Sequence, residues 1–511
     1  MKRTTLLCLG ALAFCIALPL MAQSPPAGEQ QANASTLTQE QIHSVEDMAT
    51  LYKLAATYQE NADMQRMSWT LEQLSLVLPM SGEIRLALAA AYSNLDEKSK
   101  AYDTLLRMQS QGFGYNLTKD ERFKKIADTE VWEYVVANLR ANLKPFGEGR
   151  NAFVLPKGEY LFESMAWDAQ RQRFVLGSAR EGTIYLGDRQ GKLEAFITPN
   201  AENGLWSTYA LAVDADRDLL YVASNGSTYL KELKAEDVGK AGIFKFQLST
   251  GKFLDKFVLP AAEQGGNTLS SIAVSSKGQV FAADGLRNII YRLDGKTLKV
   301  LMPPNPITTS VRGIAVSGDG NTLFFADYAR GVFGIDLKSS KPFDIEYDRS
   351  QLVLPGIDGL YWYDNTLVAI EPGMSPKRII RLHLSKDGRK IERVMPLDAG
   401  ANAYPYPSSG AVVGDALYFF ADSHRDFYDS YGVPKNEFAA SPQHVFRSNL
   451  RFAWKETMDR PALGEKSVGG PQIIGADQQR GDPRKLLNKK VDDFGRGNDA
   501  RPVDKPAADK K

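Results

Sequence analysis

The stretch GIAVSGDGNTLFFAD, residues 313–327, holds two short apolar runs joined by a Gly/Asp/Asn turn, and its second run closes on Ala-Asp. This is the pattern of two adjacent antiparallel strands. It recurs along the chain: SMAWDAQRQRFVLGS (164–178), ALAVDADRDLLYVAS (210–224), SIAVSSKGQVFAAD (271–284), GLYWYDNTLVAIE (359–371) and GAVVGDALYFFAD (410–422). The matching positions Ala166, Ala212, Ala273, Ala315, Leu360 and Ala411 stand 46, 61, 42, 45 and 51 residues apart. Repeats of this length with several short strands each read as a six-bladed β-propeller, because each unit leaves apolar faces that only its neighbours can cover. The propeller is expected over 151–455.

The sixth unit has little strand-like sequence after HVFRSNLRFAWKE. Residues 151–156 are therefore expected to pair with it and close the ring, which removes an exposed sheet edge. Long inserts at 225–241 and 423–444 follow the second strands of the second and sixth units. They should roof the face on which the innermost strands begin.

Ahead of the propeller, LAATY (Leu54–Tyr58) returns as LAAAY (Leu88–Tyr92), and Leu71 is matched by Leu105, again 34 residues on. A 34-residue period with small residues inside one helix is the tetratricopeptide pattern. An α-helical tetratricopeptide-like domain is expected over 41–142, capped by a helix around Trp132, with a linker at 143–150. Residues 23–40 read as a flexible leader and 456–511 as a disordered tail.

The chain opens MKRTTLLCLGALAFCIALPLMAQ. A basic start, an apolar run from Leu6 to Leu20 and a small-residue exit make residues 1–22 a signal peptide cut after Ala22. The expected location is periplasmic or secreted, with no membrane span after cleavage. Both cysteines, Cys8 and Cys15, lie in that segment, so the mature chain has no disulfide or thiolate chemistry. Of 62 basic residues, Lys2 and Arg3 go with it, leaving 60 against 61 acidic ones. That balance gives no electrostatic case for nucleic acid as a partner.

The propeller resembles the six-bladed calcium-dependent lactonases: gluconolactonase, regucalcin and strictosidine-synthase-like proteins. The resemblance rests on ESMAWD (163–168) and IDGLYW (357–362). It implies an axial pocket in which Glu163 and Asp358 are catalytic and hold Ca²⁺, the cation polarising a lactone carbonyl or activating water. Two further family positions, both Asn, are Ser270 and Arg312 here. An arginine removes an oxygen ligand and repels a cation. Arg312 is expected to pair with Glu163 or Asp358, or to take an anionic ligand by its planar fork. Ser270, Trp206 and Tyr209 are the other expected ligand-binding residues. Of the four histidines, His424 is expected as a solvated loop residue, and no zinc spacing is present.

Two functions fit this reading. One is an exported ligand- or protein-binding propeller protein of the bacterial envelope, with a degenerate axial pocket for a small or anionic ligand and helical repeats for a protein partner. The alternative is a divalent-metal-dependent lactonase- or esterase-like hydrolase.

Overall fold

The computed structural model describes residues 36–262, 265–305, 308–400 and 404–452. The signal peptide expected at 1–22, the leader expected at 23–40 as far as residue 35, and the tail expected at 456–511 lie outside the described residues. No described helix is long and apolar enough to cross a membrane.

Six antiparallel sheets form the propeller, at residues 162–197, 207–258, 269–302, 311–344, 359–399 and 410–449. In the first five, consecutive strands pair in chain order, so each blade is a meander. The second strands are the most apolar: Thr322–Asp327 and Thr366–Glu371 are buried almost throughout. Large rings fill the space between blades, as where Phe324 stacks on Trp362 at 5.7 Å and 8°. The aspartates that end second strands fix the loops beside them. Asp327 accepts from the backbone of Thr309, Ser310 and Ala329. Asp284 does the same for Thr268, Leu286 and Arg287.

The sixth blade has three strands of its own, and Arg150–Val154 supplies the fourth, pairing antiparallel with His444–Asn449. The expected closure is therefore present. Its seam is aromatic: Phe153 of the closing strand lies 5.2 Å from Phe174 of the first blade and 6.4 Å from Tyr418 of the sixth. Residues 143–150 do more than link. Phe146–Gly147 adds a short fifth strand to the fifth blade, opposite Ala399 and Asp398. Gly147 has φ +101°, and a Cβ there would come within 2.1 Å of an Asp398 carboxylate oxygen, so only glycine fits. Buried Asp398 accepts from Gly149 N at 2.5 Å and from the Ser448 hydroxyl.

The helical domain has helices Gln39–His43, Met48–Glu60, Met64–Val77, Gly82–Asn94, Lys98–Ser110 and Glu130–Ala141. The 34-residue period shows in their starts, Met48 with Gly82 and Met64 with Lys98. Side chains of Asp47, Asp63, Ser81 and Thr129 cap four of them. The domain docks on loops of blades four and five at the face where the innermost strands begin. Val353 and Met374 of the propeller belong to its core, Ala329 packs against that core, and Met80 reaches into the propeller's. Gly114 and Ser375 exchange hydrogen bonds of 2.6 and 2.7 Å, and Gln111 donates to Arg349 O.

Phe153→Ala should cost about 3–5 kcal/mol in chemical denaturation, and native proteolysis should then cut near residues 150–155. Burial pushes the Asp398 carboxyl up to about 6. A carboxyl raised in the folded state stabilises while protonated and loses that contribution as pH rises through its folded value. Between about pH 4 and pH 6, wild-type stability should therefore fall relative to Asp398→Asn, on the order of 2–3 kcal/mol, read from paired melts across that range.

Candidate functional site

The innermost strands are where sequence becomes site. In the first blade the pairing runs Phe162 to Ser178 and then Ser164 to Gly177, so Glu163 is left over. The second blade leaves out Tyr209, the third Ser270, and the fourth Arg312 with Gly313. Each is a β-bulge, which re-aims one side chain and increases the local twist. In the fifth and sixth blades the equivalent residues, Asp358 and Ser409, stand just before strands Gly359–Tyr363 and Gly410–Val413. Gly313 is required because a Cβ there would meet Leu360 N of the next blade at 2.5 Å.

This ring brings Glu163, Tyr209, Arg312 and Asp358 into one electrostatic environment, in which Glu163 feels both Asp358 and Arg312. Its direct partner is neither. Arg425, from the short 3-10 turn His424–Phe427 in the sixth-blade insert, donates to Glu163 Oε2. The Glu163 side chain is 12% exposed and the Arg425 side chain 35%, so the carboxylate is withdrawn from water while the guanidinium keeps partial contact with it. The Arg425 guanidinium also lies over the rings of Tyr209 and Tyr229, at 5.7 and 6.0 Å. Burial pushes the Glu163 carboxyl above its ordinary range, against the pull of Arg425. Glu163 Oε1 and Arg425 Nε are buried with no hydrogen-bond partner.

Arg312 does not make the ion pair expected of it. Its Nε donates to Ser310 Oγ at 3.1 Å and its guanidinium lies 5.7 Å from the Tyr328 ring, but it has no carboxylate within 4 Å among the described residues. The half-buried Asp358 side chain likewise forms no hydrogen bond or ion pair among the described residues. The Tyr361 hydroxyl accepts from Gly410 N at 2.7 Å. Tyr209 shares a 2.8 Å bond with Ser227, and burial pushes its hydroxyl up to about 12.

The remaining expected residues lie differently. Ser270 is a bulge residue, but its hydroxyl makes a long 3.4 Å bond back to Ala283 O. Trp206 stands edge-on to Phe244 at 5.6 Å rather than joining the axial group. His424 is buried against Phe427 and not solvated, and burial pushes its ring down to about 4. Arg425 is the residue that sequence reasoning missed. Its signal is a basic side chain next to His424, at the start of an insert expected to roof this face.

The two inserts form one roof. Arg180 donates to Tyr229 O at 2.9 Å and Gly432 O at 2.7 Å, one carbonyl from each insert, and its guanidinium lies 5.1 Å from the Tyr428 ring. Thr228 donates to Ser430 O at 2.9 Å.

The residues present do not fit a Ca²⁺ ion. Such an ion takes six to eight oxygens. Here one of two carboxylates is occupied by a guanidinium, a second guanidinium stands in the ring, and no group of three or more His, Cys, Asp or Glu among the described residues could hold a metal.

No protein-family model matches the chain, and no curated protein matches it. Solved structures similar to it include the pyrroloquinoline-quinone-bound aldose sugar dehydrogenase of Streptomyces coelicolor, at 15% identity and a TM-score of 0.40, over 60% of this chain and 100% of that one. A gluconolactonase of Xanthomonas campestris matches at 12% identity and a TM-score of 0.38, over 59% of this chain and 89% of that one. A luciferin-regenerating enzyme matches at 15% identity and a TM-score of 0.40, over 60% and 95%.

Removing Arg425 should leave Glu163 buried without its cation. Arg425→Ala should lower stability by roughly 2 kcal/mol near neutral pH, and by less at pH 4, where Glu163 protonates. Adding Glu163→Gln should recover part of the loss, which a double-mutant cycle by denaturant unfolding would read.

Proposed function

We propose that this chain is an exported binding protein whose axial pocket takes a small polar ligand with an anionic group. The observation that carries this is Arg312: a half-buried guanidinium at the propeller axis, flanked by Tyr328 and unpaired with any carboxylate among the described residues. A planar fork in that state is suited to a carboxylate or phosphate. Asp358, equally uncommitted, would accept from the ligand's hydroxyl or ammonium groups, and Tyr328, Tyr361 and Tyr406 would supply its walls. Export rests on the amino-terminal sequence. The 34-residue helical period supports a tetratricopeptide-like domain for a protein partner.

A hydrolase reading has its own support in Glu163. A carboxyl raised by burial, with one oxygen unpartnered and a second carboxylate nearby, is the equipment of acid–base chemistry. In that reading Glu163 transfers the proton, Arg312 or Arg425 steadies developing negative charge, and the substrate is a small ester or lactone.

A thermal-shift panel of carboxylic acids, amino acids and phosphorylated sugars separates these readings. The binding reading expects a compound that raises the melting temperature of wild type by about 2–4 °C at saturating concentration. The shift should vanish in Arg312→Ala and weaken in Asp358→Asn. A shift that survives Arg312→Ala overturns it. Ester or lactone turnover lost in Glu163→Gln would establish the hydrolase instead.

A further inference from the structure

We infer that Arg425 is a built-in cation, standing in the charge position that a divalent ion takes in the lactonases this propeller resembles, so that the axial site works without metal. A carboxylate at a propeller axis needs a positive partner, since burying it alone is costly. Here the chain itself supplies that partner. Arg425 donates to Glu163 Oε2 and is caged by the faces of Tyr209 and Tyr229.

Its position is fixed from outside the pocket. The Ser423 hydroxyl accepts from Arg425 N at 3.4 Å, capping the turn that carries it. Arg180 pins the rest of the insert to its second-blade neighbour through Gly432 O and Tyr229 O. Leu161, Ala179, Tyr428 and Ala439 form a small apolar core beneath them. A guanidinium stays charged at any pH a folded protein meets, so unlike a bound ion this cation can be neither chelated nor lost. Arg312 adds a second fixed positive charge to the same ring.

The inference goes beyond the ligand reading, since Arg312→Ala can fail to abolish ligand binding without bearing on it. It is tested by calorimetric titration of calcium chloride into the full mature chain, with melts in EDTA and in millimolar calcium. The wild type should give no binding heat and the same melting temperature in both buffers. Arg425→Gln frees Glu163 while keeping a polar side chain of similar length. Its melting temperature should fall by a similar amount in both buffers, and Glu163→Gln in the same background should recover part of the loss. Calcium binding by wild type that Glu163→Gln abolishes overturns the inference. So does a folded Arg425→Gln, with an unchanged circular dichroism spectrum, whose melting temperature is not lowered and is not restored by Glu163→Gln. If Arg425→Gln does not fold, the wild-type titration decides: an EDTA-insensitive, heat-free result supports the inference, and a Glu163-dependent signal overturns it.

Discussion

In four consecutive blades the innermost strand carries residues that its partner strand does not match, and the side chains set free there are Glu163, Tyr209, Ser270 and Arg312. A bulge is a local concession in a sheet, because one residue gives up its ladder bonds. Repeated at matching positions in four blades, it sets free four residues of different chemistry, and Asp358 and Ser409 stand at the equivalent places in the other two. The remaining features of the site depend on this. The roof has something to close over, Arg425 has a carboxylate to meet, and Arg312 and Asp358 face shared space without having to pair.

The blade period, the ring closure and both inserts can be read from the sequence, because they follow from alternation of apolar runs and turns. Glu163, Asp358, Arg312 and Tyr209 can also be placed, since each stands at a fixed offset from a recognisable strand. Arg425 cannot, because its place is set by tertiary packing of an insert with no periodicity, held through backbone carbonyls that any sequence would supply. Trp206 shows the reverse failure. It precedes the second blade on the same face as Tyr209, yet an aromatic ring that can fill the space beside Phe244 does so. His424 looks like a loop residue in sequence and is a core residue in space, because the turn that presents Arg425 buries its neighbour against Phe427.

The helical domain is also more closely bound to the pocket than its sequence suggests. Ala329, which packs on the helical core, directly follows Tyr328, the ring beneath Arg312. Tyr328 O accepts from Gly356 N at 2.7 Å, in the loop that carries Val353 into the helical core. One wall of the axial site is thus braced against the domain that precedes it, and the opposite wall against the inserts. Blades six, one and two face one brace, blades four and five the other.

The closing strand has a consequence for how the molecule comes into being. Arg150–Val154 is synthesised first among the strands of its sheet, and its partner His444–Asn449 last. At ribosomal speeds of about 5–20 residues per second, the earlier strand waits on the order of 15–60 s for the later one. Throughout that interval its backbone donors and acceptors are unpaired, and Phe153 has only the first-blade half of its aromatic seam. Until the far end of the chain arrives, the ring stays open and its first-made strand remains an unmatched sheet edge.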